Sequence, residues 1–205
     1  AKSPLTGGYA EAEAGGWWGP ELKFAGFDAL IVEGISPEPV YLLMKDEQID
    51  IKKATDLTGK TTGDVQQILK DKHGEKARVL QCGPAGENLV KYACITNELR
   101  HYCGRTGLGA VMGSKRLRAV VVRGTGKVQV NDKEKIMDYA RWFATNVSDH
   151  PGLIQNMELG TPKNVIPLNE MGLLPTKNFH QGTFDGAEGI SGEHMKELIT
   201  KKRDS

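Results

Sequence analysis

Apolar residues in the first two-thirds of this chain come in short dense blocks, and in the last third they fall at helical spacing. Residues 27–33, FDALIVE, and 39–45, PVYLLMK, are rich in branched and aromatic side chains and flank a glycine- and proline-bearing turn; both predict strands. Residues 48–52 alternate polar and apolar and predict a third. Over 61–72 the residues Val65, Ile68 and Leu69 share one face, so a helix is expected, with Thr62 as its cap and Gly74 as its stop. ARVLQC, 77–82, reads as a buried strand ended by GPAGEN. Residues 89–97 read as another, with Tyr92 and Ile95 inside. Residues 117–123, LRAVVVR, are the strongest strand signal, closed by GTGK.

The period changes after about Val130. Asn131 or Asp132 can cap a helix running to about 146, whose residues Ile136, Tyr139, Ala140 and Phe143 line one side. Residues 161–171 predict a second helix, with Pro162 tolerated in its first turn. Residues 172–189 read as loop, and 191–202 as a third helix capped by Ser191. The shift places a boundary near 128–133, giving domains 1–130 and 131–205, and no internal repeat is evident.

Composition narrows the class. The chain has 205 residues, 39% hydrophobic and 26% charged, as expected of a water-soluble fold, and its net charge of +1 offers no electrostatic case for nucleic acid or membrane. No apolar run approaches the ~18 residues of a membrane span. The chain opens AKSPLTGG without a signal-like stretch and stops at KKRDS as if inside a helix, so a piece of a longer cytoplasmic protein is expected. Three cysteines, Cys82, Cys94 and Cys103, without a CxxC spacing argue against a disulfide framework or a complete metal site; buried free thiols are the expectation. The 25 glycines cluster instead of spreading, a pattern of close backbone approach.

Two segments carry candidate chemistry. Residues 103–113 read CGRTGLGAVMG. A Walker A loop needs GxxxxGK[ST], and GAVMGSK at 109–115 is one residue short with serine before lysine. The dinucleotide fingerprint needs GxGxxG, and Gly107, Gly109 and Gly113 give GxGxxxG with no acidic residue ending the next strand. Two readings stay open: an anion cradle of backbone N–H groups, aided by a helix start near Gly109 and by Arg105, or a tight corner whose glycines serve packing. The second segment, 12–34, sets Trp17 and Trp18 between glycines, as core anchors or as walls of a planar ligand. In it Glu13 and Glu21 are candidate acids or metal neighbours, or a solvated carboxylate and a helix N-terminal one.

AKSPLTGG, AGGWWGPELKFAGFDALIVEG, GPAGENLVKYA, CGRTGLGAVMGSKRLRAVVVRG and GTPKNVIPLNEMGLLPTKNF together, in this order and almost end to end, resemble the tungsten-dependent aldehyde:ferredoxin oxidoreductases. The resemblance implies an α+β, saddle-like N-terminal domain of two intertwined repeats, its first part missing here, followed by the start of an all-helical domain. It implies a tungsten or molybdenum bis-pyranopterin whose two phosphates are bridged by magnesium. It assigns Glu13, Gly15 and Gly16 to one phosphate-binding segment and Cys103, Gly104, Arg105 and Gly107 to the other, with the carbonyls of Glu13 and Cys103 toward magnesium. The family commonly has a small or amide residue where Glu13 stands and alanine where Cys103 stands; a backbone contact tolerates both changes. No catalytic residue of the family falls within this chain, and the ligands of its [4Fe–4S] cluster lie outside it. His101, beside the loop, and His180 are isolated histidines.

The implied activity is oxidation of an aldehyde to a carboxylic acid, with ferredoxin or another electron-transfer protein as acceptor; the isolated segment is expected to be inactive. Expected partners are thus that protein and a small aldehyde, with a homodimer compatible with exposed strand edges, and neither nucleic acid nor membrane. Alternatives are a relative that reduces an aromatic thioester or a carboxylate, and a cofactor-free scaffold or apo-fragment of the same fold.

Overall fold

A computed structural model describes residues 1–203, with side chains described to 199. It divides into two compact units, Ala1–Gln129 and Val130–Ser205. The α+β class of the first and the helical character of the second agree with the expectation.

The first unit is built on one mixed sheet. Its strands are β1 (Val40–Lys45), β2 (Gln48–Lys53), β3 (Arg78–Cys82), β4 (Ile95–Asn97), β5 (His101–Cys103) and β6 (Leu117–Arg123), in the order β2-β1-β6-β3-β4-β5. β6 runs parallel to β1 and antiparallel to β3, and every other pairing is antiparallel. The run LRAVVVR is apolar throughout because β6 lies in the sheet's interior, covered on both faces. Alternate residues feed two cores. On one face Leu42, Met44, Val120 and Val122 pack against Leu22 of α1 (Trp18–Phe24) and Met112 of α4 (Leu108–Ser114). On the other, Tyr41, Val79, Ala119 and Val121 pack against Val65 and Leu69 of α2 (Thr62–His73). The edge strand β2 is exposed along its length and carries Asp50, Lys52 and Lys53, charges that discourage edge-to-edge pairing.

A buried polar network ties this second face together. Arg118 of β6 is 2% exposed and pairs through Nε with Glu87 of the short helix α3 (Pro84–Glu87) at 2.9 Å. It also donates to Gln81 Oε1 at 3.3 Å and Lys60 O at 3.0 Å, while Glu87 accepts from Gly59 N–H at 2.9 Å. The guanidinium is thus buried with its charge matched and its donors used, the condition under which such burial is tolerated.

Three local expectations are corrected. The cap of α2 is Thr61, which accepts from Asp64 N–H at 3.2 Å, not Thr62. FDALIVE sets Phe27, Leu30 and Val32 on the first core and leaves Ile31 85% exposed, but it pairs with no strand among the described residues, so alternation without a ladder partner gives no strand. Within 89–97 only the end, β4, is a strand, and Tyr92 points outward. The start of α4 occupies the backbone before it: Gly109 N–H donates to Ala93 O at 2.9 Å. The helices α1 and α3, of seven and four residues, are too short to show a helical period in sequence.

The second unit holds α5 (Lys133–Asn146), α6 (Pro151–Leu159), α7 (Val165–Glu170) and α8 (Gly192–Arg203). Asp132 caps α5 through Lys135 N–H at 2.9 Å, and Ser191 caps α8 through His194 N–H at 3.1 Å, both as expected. α6 was not foreseen, and the helix expected over 161–171 splits into a 3-10 turn, Thr161–Asn164, and α7. Among the described residues no helix is long and apolar enough to cross a membrane.

Candidate anion-binding site

The two candidate segments, remote in sequence, are tied together side by side. Residues 11–17 form a strap, fixed at three points to the β4–β5 hairpin and the loop after it. Thr106 Oγ1–H donates to Glu11 O at 3.1 Å. The Asn97 side-chain amide donates to Gly15 O. Trp17 N–H donates to Glu98 Oε2 at 2.7 Å. Upstream, Ser3 Oγ–H donates to Thr106 O at 2.8 Å, so the first residues hold the same loop.

Between these tethers the backbone donors are spare. The N–H groups of residues 12–16, and those of residues 104–107, have no acceptor among the described residues. Gly15, Gly104 and Arg105 are exposed, and the Arg105 guanidinium makes no hydrogen bond or ion pair among those residues. Two adjacent runs of unpaired N–H groups, of which only that of Gly107 belongs to a buried residue, stand beside an unpaired guanidinium and offer donors of the kind phosphate oxygens accept. Glu13 is exposed and also unpaired, so its carboxylate is a repulsive neighbour for an anion unless a divalent cation lies between them. The unpaired N–H groups and the Arg105 guanidinium suit an anion such as a phosphate.

The glycines sort into two groups. A Cβ on Gly107 would sit 1.9 Å from Lys91 O, one on Gly109 2.3 Å from Cys94 O, and one on Gly113 1.9 Å from Gly86 O. These three are explained by packing of α4 against residues 86–94. Gly104 is different: the nearest atom to its Cβ would be Tyr102 O at 4.0 Å, so packing does not require glycine there. Gly15 and Gly16 lie under His101, whose Nδ1 and Cδ2 would be 3.3 and 2.8 Å from their respective Cβ atoms, and Gly16 has φ +94°. His101 thus bears on the strap, while His180 is exposed in the other unit.

The tryptophans divide as well. Trp18 is a core anchor, its Nε1–H donating to Val120 O at 3.0 Å. Trp17 is 61% exposed, with the Arg78 guanidinium 6.0 Å from its ring centroid. Glu21 is structural: in the first turn of α1, it accepts from Arg123 at 2.7 Å and from Gly124 N–H at 2.9 Å. Cys82 is buried and its thiol is pushed up to about 11 by that burial, so it is inert. Burial also raises Cys103, with a smaller contribution from Cys94. Among the described residues no group of three or more His, Cys, Asp or Glu side chains could hold a metal ion. The tethers Asn97, Glu98 and Thr106 were missed from sequence; no local signal marks them, since each acts on backbone about eighty residues or more away.

Two family models match the chain: the aldehyde ferredoxin oxidoreductase N-terminal domain over residues 1–124, and domains 2 and 3 of the same enzyme over 138–205. The tungsten-containing aldehyde ferredoxin oxidoreductase of Pyrococcus abyssi is 44% identical over 205 residues, covering 98% of this chain and 34% of that protein. The WOR-like subunit of an aliphatic sulfonate oxidoreductase from Pyrococcus furiosus is 35% identical over 157 residues, 70% of this chain and 25% of that one. Among solved structures, the active-site complex BamBC of benzoyl coenzyme A reductase with 1,5-dienoyl-CoA aligns with a TM-score of 0.73 at 31% identity, covering 96% of this chain and 32% of that one. The chain spans about a third of the length of the aldehyde ferredoxin oxidoreductases it matches. With the N-terminal family model covering residues 1–124, the chain belongs to the aldehyde ferredoxin oxidoreductase family.

Proposed function

We propose that this chain is the phosphate-binding part of a tungsten bis-pterin oxidoreductase that, as a full-length protein, oxidises aldehydes to carboxylic acids. The observation that carries the reading is the pair of unpaired N–H runs, 12–16 and 104–107, tied into one surface beside Arg105. Gly15, Gly16, Gly104 and the Thr106–Gly107 turn present backbone donors to the phosphates, and Arg105 supplies a charged clamp. The carbonyls of Glu13 and Cys103 would be the ligands this chain offers to a magnesium between the phosphates. The metal-pterin group, when bound, supplies the two-electron chemistry; this chain binds, orients and covers it. Oxidation of an aldehyde with water to the acid releases two protons and two electrons; a [4Fe–4S] cluster of the full-length protein would carry those electrons to ferredoxin or a similar cytoplasmic carrier.

The 44% identity to aldehyde enzymes, against 35% and 31% for the sulfonate and thioester relatives, favours aldehyde as the substrate class. The test is metal and pterin content of the full-length protein, by elemental analysis and fluorescence of the oxidised pterin. Tungsten with about two pterins per metal is expected. Arg105→Ala should weaken pterin retention about tenfold to a hundredfold, the worth of a lost charge-assisted pair. A folded full-length protein without pterin, or Arg105→Ala with unchanged content, refutes the reading and leaves a cofactor-free scaffold.

A further inference from the structure

The strap's fixation has its own machinery, which the phosphate contacts do not use. Trp17 N–H, the donor immediately after the spare run, is consumed by Glu98 Oε2. The other carboxylate oxygen, Oε1, pairs with Arg78 on β3, and the side chains of this pair are 28% (Arg78) and 16% (Glu98) exposed. Arg78 also lies over the Trp17 ring. Asn97, 3% exposed, donates its amide to Gly15 O while its Oδ1 has no partner among the described residues. The peptide units on both sides of Gly16 are therefore gripped by two consecutive residues. Glu98 and the next residue, Leu99, sit at φ +53° and +61°, a left-handed turn that joins β4 to β5. The same turn leads through His101 and Cys103 into the second donor run, Gly104 to Gly107.

We infer that Glu98 and Asn97 are positioning residues that lock the 12–16 donor run to the hairpin carrying the 104–107 run, so that the two pterin phosphates meet one preformed surface. This inference rests on the pterin reading of the site. Neither residue touches the phosphates: Glu98 is an anion, screened by Arg78, and Asn97 is turned to a carbonyl. Their contribution is to hold the donors before the ligand arrives, which cuts the ordering cost of binding. Arg78 completes the device by neutralising a carboxylate that would otherwise repel a phosphate nearby.

The test uses the full-length protein with Glu98→Ala, Glu98→Gln, Asn97→Asp and Arg105→Ala. Hydrogen exchange of the peptide covering 12–17 is read beside that of β6, and the rate of pterin loss is followed by fluorescence of the released pterin. Glu98→Ala should speed exchange at 12–17 and pterin loss by about tenfold each, with β6 unchanged, on the loss of a charge-assisted hydrogen bond. Glu98→Gln keeps an acceptor for Trp17 N–H and should stay within about threefold of wild type. Asn97→Asp sets a carboxylate against Gly15 O and should behave like Glu98→Ala; it decides the matter should Glu98→Ala fail to fold. If strap exchange rises while pterin loss does not, the residues are merely structural and the inference fails. If Arg105→Ala releases pterin and neither Glu98→Ala nor Asn97→Asp does, the inference fails while the pterin reading stands. A wild-type protein free of pterin sinks the reading, and the inference with it.

Discussion

Replacing Gly113 with alanine should damage the fold, whereas the same change at Gly104 should not. In the sequence the two glycines look alike, as members of one loop. In the structure the Gly113 Cβ would fall 1.9 Å from Gly86 O and 2.4 Å from Gly86 C. Carbon and oxygen in ordinary contact need about 3.5 Å, so α3 and α4 must part by about 1.5 Å. The obstacle is backbone of a neighbouring helix, not the tip of a side chain, so no rotamer change relieves it. Overpacking of this kind costs about 1–3 kcal/mol, and the upper half of that range applies where backbone meets backbone.

Gly104 meets nothing nearer than 4.0 Å and its φ is not positive, so alanine there should change stability by no more than about 0.5 kcal/mol. The assay is hydrogen exchange of full-length protein across residues 82–94 and 107–114, paired with pterin content. Gly113→Ala should accelerate exchange in both stretches about tenfold to a hundredfold, because local opening becomes cheaper by that cost. Gly104→Ala should leave exchange alone and, on the proposed reading, lower pterin retention, since its methyl group would intrude where the phosphate is proposed to bind. Unchanged exchange in Gly113→Ala would refute the packing explanation of the loop's glycines. Slower pterin loss in Gly104→Ala would refute the claim that this glycine faces the ligand.

The buried pair offers a second check. Arg118→Met leaves the Glu87 carboxylate without its counter-charge and should cost about 3–5 kcal/mol, read as earlier denaturant unfolding, while adding Glu87→Gln to the same protein should recover part of that loss. His73 gives a pH dependence. Burial first, then the charges of Lys72 and Lys52, hold its pKa below the ordinary 6.5, while Tyr41 Oη lies 3.0 Å from its Nε2. A depressed folded-state value means the unfolded chain takes up the proton first, so stability is complete above about pH 6.5 and falls as pH drops through the folded value. Denaturation curves between pH 7 and 5 should show that slope, and His73→Gln should flatten it; an unchanged slope would remove His73 as its source.

What could be read from the sequence follows from the range of the forces involved. α2, α5 and α8 were legible because their signals are local: an apolar face repeating within one turn, a Thr, Asp or Ser at the start, and Gly74 at one end. β6 was legible because a strand covered on both faces must be apolar at every position. FDALIVE has the same local pattern and still is not a strand, since pairing depends on a neighbour that lies elsewhere. Residues 89–94 failed for another reason: the N–H groups of Leu89, Val90 and Ala93 turn back to Gly86, Ala85 and Val90, and Ala93 O is taken by Gly109 N–H at the start of α4, so no ladder can form.

The site divides along the same line. Glycines, tryptophans and Arg105 could be singled out by residue type, because unusual composition marks unusual backbone. Which glycine serves packing and which serves a ligand could not, since Gly104 and Gly113 differ only in what stands opposite them. The tethers were invisible for a stronger reason. A glutamate accepting one N–H, a threonine donating to one carbonyl and an asparagine doing the same are common residues in unremarkable context. Their role exists only when β3, β4 and β5 bring residue 98 to residue 17 and residue 106 to residue 11. A phosphate site made of backbone donors thus transfers its specificity from the residues that touch the ligand to those that shape the loop. On the proposed reading the side chain of Glu13 can vary while the donor surface persists, and substitutions at Glu98 and Asn97, not at Glu13, should separate a working cradle from a loose one.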